Sequence, residues 1–333
     1  MKVLLVSPLG YPINETKRYS GIEQLVWNYA SELCKAHEVS VMGHGDSVFP
    51  NSVDVLAYVP SVGEDIYLQA ELKSYQIHQS RIHEFDIIHD FSHSHLISRF
   101  NKNMPSLNLF WHAPLIAKFP KAPYNIIGLS HWACREFLRV YGQRAKYQQS
   151  IALDTSFYKL SKRHRGDRFL SLGALTPRKG HMGAIELCKA SGNKLDIVGK
   201  GYDDEYEASI RKACVTTQFR FLGEVTDEVK VKLMQDCKAL LFVNQEPEVT
   251  SHKVQESMMC GAPVITASIG ALSEIVTHGR NGWLCDTIPD YLKAMEQVDK
   301  LPMDLPINDI YSIENVVRAY IPLYEKVAGG LRW

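Results

Sequence analysis

The chain has 333 residues, and 37 Lys plus Arg balance 37 Asp plus Glu, so its formal net charge is zero. This length is typical of two domains that each bury a core. A neutral chain has no overall field that would attract nucleic acid or an anionic membrane, although a local basic patch would still allow peripheral membrane contact. The seven cysteines form no Cys-x-x-Cys pair, which is typical of a reducing cytoplasm and not of a disulfide frame or a zinc site. We therefore expect a cytoplasmic protein without nucleic-acid partners.

Predicted strands and helices alternate along the first half of the chain. Short apolar runs predict strands at 3–7, 39–42, 85–89, 107–111 and 125–129. Apolar residues at helical spacing predict a helix from Gly21 to Leu33, and a charged helix is expected over 65–84. Gly21 at a helix entrance would let backbone amides approach a phosphate, and an ordinary helix start is the alternative. No apolar run reaches membrane-spanning length, and residues 1–8 are too short for a signal-peptide core.

Polar residues follow two of these strands. The run His89–His95 contains three histidines and one aspartate, which are zinc-ligand types, but no helix or tight hairpin anchors their spacing. We expect this run to bind hydroxyl groups of a substrate and not a metal. His112 follows the strand at 107–111 and is expected to face a ligand cleft, with a purely structural histidine as the alternative.

The second half repeats the alternation after a charged, aperiodic linker at 159–167. Arg178 and Lys179 follow its first strand, where cations can neutralise a diphosphate; solvated loop cations are the alternative. Gly201 and Val225 follow the next two strands. A last helix is expected over 312–328, capped by Ser312 and kinked or broken by Pro322.

The stretch 239–265 has the pattern strand, loop, helix, turn, strand. Residues 239–243 predict a buried strand, and a short helix is expected over 250–259 with Thr250 or Ser251 as its cap. The helix N-terminus can bind an anion through its free amides. Glu248 in the loop and Glu256 on the helix would lie at the same edge and could hold hydroxyl groups. The stretch therefore suits a sugar nucleotide, and a plain βαβ crossover with solvated glutamates is the alternative.

Glu248 and Glu256, followed by the Cys260–Ile265 turn, resemble the E-x7-E signature of the retaining GT-B glycosyltransferases of family 4. The resemblance implies an α/β fold of two Rossmann-like doubly wound domains that face a central cleft. It implies an acceptor domain at 1–158, a donor domain at 159–307 and a helical region at 308–333 that crosses back to the first domain.

The resemblance also implies roles for individual residues. Glu248 would face the donor sugar, Glu256 would hold the ribose, and Lys179 would clamp the diphosphate. His112 would bind the transferred sugar, which makes Glu248, His112 and Lys179 the implied catalytic residues. The implied donor-binding residues are Gly21, Arg178, Lys179, Gly201, Val225, Glu248, Thr250, Ser251, His252, Lys253, Val254 and Glu256.

The sequence differs from the family pattern at three places. Val249–His252 stand where Pro-Phe-Gly-Leu is common, while Lys253 matches the Lys-x-x-Glu subtype. Ser20 replaces the first glycine of the loop before Gly21. Ala174 stands where the family has an arginine, with Arg178 as the candidate substitute.

By resemblance, the chain is a retaining, metal-independent glycosyltransferase without a cofactor. It would move a sugar from a nucleotide-diphosphate donor to a hydroxyl acceptor, which could be a sugar, a glycan, a lipid or a small molecule. Two alternatives remain open: a GT-B epimerase or phosphorylase, and a protein that binds a sugar nucleotide without transforming it.

Overall fold

The computed structural model describes residues 1–15, 21–111, 123–160, 165–201, 203–302 and 308–333. These residues form two compact units. Unit 1 consists of Met1–Asp154 together with Ile310–Trp333, and unit 2 consists of Thr155–Asp309. The predicted site residue His112 and the loop residue Ser20 lie outside the described residues.

Unit 1 contains a seven-stranded parallel sheet in the order β3-β2-β1-β4-β5-β6-β7. Its strands are β1 (Lys2–Val6), β2 (Glu38–His44), β3 (Val53–Tyr58), β4 (Ile87–Asp90), β5 (Ser106–Phe110), β6 (Ile126–Gly128) and β7 (Lys146–Tyr147). The central strands are buried along nearly their whole length, as parallel strands with helices on both faces require. The sequence pattern did not predict β3, because this edge strand carries the polar residue Asp54 within a short apolar run.

Helices join the strands of unit 1. They are α1 (Gly21–Leu33), α2 (Gln69–His78), α3 (Leu96–Phe100) and α4 (His131–Tyr141). The predicted helix over 65–84 is shorter than expected, since a 3-10 turn, Gln79–Glu84, follows α2. Ser130 caps α4 by accepting a hydrogen bond from the Ala133 amide at 3.0 Å.

Unit 2 contains a six-stranded parallel sheet in the order β10-β9-β8-β11-β12-β13. Its strands are β8 (Arg168–Leu172), β9 (Lys194–Val198), β10 (Phe219–Gly223), β11 (Leu240–Phe242), β12 (Val264–Ala267) and β13 (Gly282–Cys285). Its helices are α5 (His181–Ser191), α6 (Asp204–Ala213), α7 (Asp227–Asp236), α8 (His252–Met259), α9 (Leu272–Ile275) and α10 (Ile288–Gln297). The predicted alternation of strands and helices is thus confirmed in both halves of the chain.

The last segment of the chain contains α11 (Asn308–Tyr311), which begins at the end of unit 2, and α12 (Ile313–Ala328), which belongs to unit 1. The Ser312 hydroxyl caps α12 by accepting from the Asn315 amide. Of the expected kink or break at Pro322, the break does not occur, because α12 continues through this residue. Proline has no N–H group, so the Arg318 carbonyl has no helical hydrogen-bond donor at position 322. Arg318 and Pro322 are both exposed, so water can bind this carbonyl.

No helix in the described ranges is both long and apolar enough to cross a membrane.

Candidate active site

Two loops of unit 2 meet where the order of its strands reverses. β8 and β11 are neighbours in the sheet, and Leu240 pairs with Leu170. The chain runs from β8 towards β9 on one side and from β11 towards β12 on the other. In doubly wound sheets, ligands bind at the carboxyl ends of the two strands that flank such a reversal. The loops after β8 and β11 therefore form the candidate site.

Lys179 and Glu248 come from these two loops and form an ion pair between Lys179 Nζ and Glu248 Oε1. Each side chain is 11% exposed, so both groups are largely withdrawn from water. Lys179 ends a 3-10 turn, Pro177–Lys179, and the Gln245 amide donates a hydrogen bond of 3.0 Å to the Arg178 carbonyl. The structure thus brings together two residues that are 69 positions apart in the sequence.

Gly180 explains how the turn lies so close to the loop after β11. Its φ of 71° is in the left-handed region, and a Cβ at this position would overlap the Val243 carbonyl oxygen. Only glycine satisfies both conditions without strain. Gly180 therefore positions Lys179 opposite Glu248.

Lys253 is a second ammonium group at the same place. Its Nζ lies 4.4 Å from the centroid of the Phe242 ring. A Cβ built on Gly173 would lie only 2.7 Å from this Nζ, so the glycine leaves the room that the ammonium group occupies. Burial, together with the positive charges of Lys179 and Arg178, lowers the pKa of Lys253 to about 7, although Glu248 opposes the shift.

Glu248 is held by its backbone as well as by its charge partners. The Ala271 amide donates to the Glu248 carbonyl at 2.9 Å, and a Cβ on Gly270 would lie 2.8 Å from the Glu248 backbone nitrogen and oxygen. Burial favours the neutral acid, but the ammonium groups of Lys253 and Lys179 hold the pKa of Glu248 below its usual value. Glu248 is therefore an anion between two lysines.

Glu256 lies in a separate hydrogen-bonded group on α8. The Tyr158 hydroxyl donates to Glu256 Oε1 at 2.9 Å, and Lys230 Nζ lies 3.5 Å from Oε2. Lys230 also donates to the Tyr158 hydroxyl at 3.1 Å and pairs with Asp227 at 3.0 Å. Although burial opposes the charged ammonium group, Glu256, Tyr158 and Asp227 raise the pKa of Lys230.

The sequence patterns did not point to Tyr158 or Lys230. Tyr158 comes just before the charged linker at 159–167, and Lys230 lies on the polar helix α7 without a recognisable motif. Both residues reach Glu256 only through the tertiary fold. A buried lysine beside a motif glutamate carries no periodic signal in the sequence.

The N-terminus of α8 opens beside these groups. Ser251 is its N-cap residue, as predicted, but its side chain accepts no hydrogen bond from the described amides of the first turn. The Thr250 hydroxyl is buried, and no described residue hydrogen-bonds to it. Val254 is fully buried, so only its backbone is available to a ligand. Burial lowers the pKa of His252, the first residue of the helix.

His181 supports the backbone at Ala174. Its Nδ1 is 2.8 Å from the Ser171 hydroxyl and its Nε2 is 3.1 Å from the Ala174 carbonyl. Burial lowers the pKa of His181 to about 4, so the ring is neutral and donates through Nε2 to the carbonyl. His181 therefore fixes the loop that lacks the family arginine.

Four other predicted donor-binding residues have different surroundings. Gly21 is the first residue of α1 and belongs to unit 1. Gly201 forms a bridge with Leu175 beyond β9, and Val225 follows β10. The Arg178 side chain is exposed, in contrast to that of Lys179.

In unit 1, His89 is not a ligand-binding residue in this structure. Its side chain is fully buried, its Nδ1 lies 2.7 Å from the Tyr324 hydroxyl, and it packs against the rings of Tyr29, Phe91 and Tyr320. The expectation that the run His89–His95 binds substrate hydroxyls therefore finds no support at His89, whose ring lies in the core. Among the described residues, no group of three or more His, Cys, Asp or Glu side chains could hold a metal ion.

A small cavity lies where the strand order of unit 1 reverses, between β1 and β4. Ser7, Glu71, Ser74 and Asp90 line it together with apolar side chains. Asp90 Oδ2 and Ser74 Oγ are buried there and hydrogen-bond to no described residue. Glu71 instead accepts from the backbone amides at positions 93 and 94, at 2.9 and 2.8 Å. The two orphan oxygens are free to bind a hydroxyl group or a water molecule.

Comparison with solved structures shows which class of protein has this fold. The chain is similar to AviGT4, a glycosyltransferase involved in avilamycin A biosynthesis, with a TM-score of 0.72 and 20% identity. The match covers 100% of this chain and 99% of AviGT4. Sucrose-phosphate synthase from Thermosynechococcus elongatus gives a TM-score of 0.76 at 13% identity, over 99% of this chain and 100% of that one. HepE from Anabaena in complex with UDP-glucose gives 0.65 at 18% identity, over 99% and 98%. The chain thus has the GT-B fold of glycosyltransferases.

Residues 154–304 match the family described as glycosyl transferases group 1. The curated relative is N-acetyl-alpha-D-glucosaminyl L-malate synthase from Bacillus anthracis, which is 31% identical over 84 residues. The matched segment covers 25% of this chain and 21% of the length of that relative.

Proposed function

We propose that the chain is a retaining, metal-independent glycosyltransferase of family 4 that moves a sugar from a nucleotide-diphosphate donor to a hydroxyl acceptor. The observation that carries this proposal is the largely buried ion pair of Lys179 and Glu248 beside the N-terminus of α8. A fixed ammonium group and the N-terminus of a helix suit a diphosphate, and a carboxylate beside them suits a sugar hydroxyl.

In this proposal, the chemistry is electrostatic. When the bond between the sugar and the diphosphate breaks, negative charge grows on the leaving diphosphate. A lysine that is already fixed in a partly dry site, such as Lys179, stabilises that charge without reorganising in the transition state. The donor's diphosphate replaces Glu248 as the counterion of Lys179, which frees the carboxylate for the sugar.

We assign the ribose to Glu256, in agreement with the resemblance. Its carboxylate is held by Tyr158 and Lys230 and is 9% exposed as a residue. A carboxylate fixed in this way can accept hydrogen bonds from two neighbouring hydroxyl groups. For the acceptor, we propose that the cavity beside Asp90 and Ser74 in unit 1 binds one of its hydroxyl groups.

The proposal is tested by incubating the protein with UDP-, ADP- and GDP-sugars and measuring release of the nucleotide diphosphate, with and without candidate acceptors. Release that depends on an acceptor and persists in EDTA is the expected result, and NMR of the product should show the donor's anomeric configuration. An epimerase or phosphorylase would turn over without such an acceptor. Donor binding without any turnover would show a binding protein instead.

A further inference from the structure

We propose that Lys253, and not Arg178, takes the place of the missing family arginine and is the second cation that binds the donor's diphosphate. This inference rests on the proposed function and assigns one residue within it. In the sequence, Arg178 is the candidate substitute because it is a cation in the same loop as Ala174. The structure provides three observations that favour Lys253.

The first observation is position. Lys253 Nζ reaches the backbone of Gly173, the residue immediately before Ala174, and a side chain at Gly173 would exclude it. The glycine at 173 thus leaves space beside this strand end, and the lysine from α8 occupies it. Lys253 belongs to α8 and not to the loop that contains Ala174, but its ammonium group lies at the same end of β8.

The second observation is that the ammonium groups of Lys253 and Lys179 both lie near the ring of Phe242. Lys253 Nζ lies 4.4 Å and Lys179 Nζ 5.8 Å from the centroid of Phe242, the last residue of β11. Glu248 is the anion that both lysines share. A diphosphate carries two charged phosphate groups, so two neighbouring cations that already share an anion can each bind one of them.

The third observation is burial. The Arg178 side chain is exposed, where its charge is screened by water, while the Lys253 ammonium group lies against the Phe242 ring. An ion contact in the drier place contributes more to binding and to leaving-group stabilisation. Arg178 therefore adds only a distant attraction.

The groups that face Lys253 come from several elements. They are Glu248 from the loop after β11, Lys179 and Arg178 from the 3-10 turn, His181 from α5 and His252 from its own helix. Without a bound diphosphate, Glu248 is the anion that opposes the effect of burial and of the nearby cations, and the pKa of Lys253 is lowered to about 7. A bound diphosphate adds negative charge and raises this pKa, so binding at pH 8 should take up close to one proton per site.

The experiment measures binding of UDP, ADP and GDP and of the corresponding monophosphates by isothermal titration calorimetry. In the wild-type protein, the nucleotide that binds best should bind more tightly as its diphosphate. Lys253→Gln should weaken diphosphate binding about 10- to 100-fold and monophosphate binding much less. Arg178→Gln should weaken diphosphate binding no more than about threefold, and the exposed Lys189→Gln on α5 serves as the matched control without effect.

Proton uptake provides a readout that a merely structural role would not change. Titrations at pH 8 in buffers of different ionisation enthalpy should show uptake in the wild-type protein and none in Lys253→Gln. Lys253→Arg should retain the preference for diphosphate without proton uptake, because its guanidinium group is always charged. Above pH 7, where the terminal phosphate of the nucleotide is already ionised, diphosphate affinity should fall with rising pH in the wild-type protein only.

The outcomes separate this inference from the proposed function. If the wild-type protein prefers diphosphates but Lys253→Gln keeps that preference, or if Arg178→Gln loses it, the assignment of Lys253 is wrong and the proposed function stands. If the wild-type protein binds no diphosphate more tightly than its monophosphate, both are wrong.

Discussion

At the scale of single residues, the candidate site is a set of charges that compensate one another. The positive charges of Lys179 and Lys253 are compensated by Glu248. Lys230 forms an ion pair with Glu256 and donates a hydrogen bond to the Tyr158 hydroxyl. A buried charge that loses its partner is costly, whereas a partner exchanged for a ligand group is not. Each of these residues should therefore affect binding and stability differently.

Lys179→Ala should lower kcat about 100- to 1000-fold, because it removes a fixed cation from the growing charge on the leaving diphosphate. Steady-state kinetics with the preferred donor measure the effect. Lys189→Ala, at an exposed lysine on the helix that follows the same turn, is the control. Full activity of Lys179→Ala would remove this lysine from the mechanism.

Glu256→Ala and Glu248→Ala should differ in what they change. Glu256→Ala should weaken nucleotide binding, and it should also lower the free energy of unfolding by about 3 kcal/mol because Lys230 loses a buried partner. Glu248→Ala should mainly lower turnover. Calorimetry and urea denaturation measure these effects. Tyr158→Phe keeps the charges and removes one hydrogen bond, so it should weaken binding without a comparable loss of stability. Unchanged donor affinity in Glu256→Ala would contradict the ribose assignment.

At the scale of elements, glycines set how closely the turn after β8 approaches the loop after β11. Gly180 has a φ of 71° and faces the Val243 carbonyl, whereas Gly192 at the end of α5 has a φ of 68° and no atom within 4 Å of the place where a Cβ would stand. The two positions share the backbone conformation and differ only in the space around it.

Gly180→Ala should therefore destabilise the protein more than Gly192→Ala. The second substitution adds only left-handed strain, about 1 kcal/mol. The first adds a clash with backbone and should cost about 3 kcal/mol or more, and it should reduce activity by displacing Lys179 from Glu248. Urea denaturation of both variants measures the difference. Equal losses of stability would show that the close contact is not required.

At the scale of the whole molecule, the end of the chain completes the core of unit 1. Tyr320 and Tyr324 on α12 are fully buried and pack with Tyr29 and His89 from elements near the start of the chain. The Ser150 and Tyr320 hydroxyls are hydrogen-bonded at 2.5 Å. Unit 1 therefore depends on contacts between residues that are more than 200 positions apart.

Tyr324→Phe should lower the free energy of unfolding of unit 1 by about 1–3 kcal/mol, because it leaves His89 Nδ1 buried without its partner. Denaturation followed by fluorescence measures the change. Tyr67→Phe, at a position that is 44% exposed, is the matched control and should change stability by less than about 0.5 kcal/mol. A similar loss in both variants would show that the buried hydrogen bond contributes little.

The sequence by itself determined the alternation of strands and helices and the class of the fold. Buried parallel strands are short continuous apolar runs, and helices show their period and caps locally, as Ser130 and Ser312 do. It also identified Lys179, Glu248 and Lys253 as candidates, because a motif keeps its spacing whatever surrounds it.

Only the tertiary structure decided which of these groups meet. The ion pair between Lys179 and Glu248, the approach of Lys253 to Gly173, the contacts of Tyr158 and Lys230 with Glu256 and the burial of His89 all join distant segments. Such contacts depend on strand order, because neighbours in a parallel sheet need not be neighbours in the chain. Charge and burial at a site follow from those contacts, and no local pattern of residues specifies them.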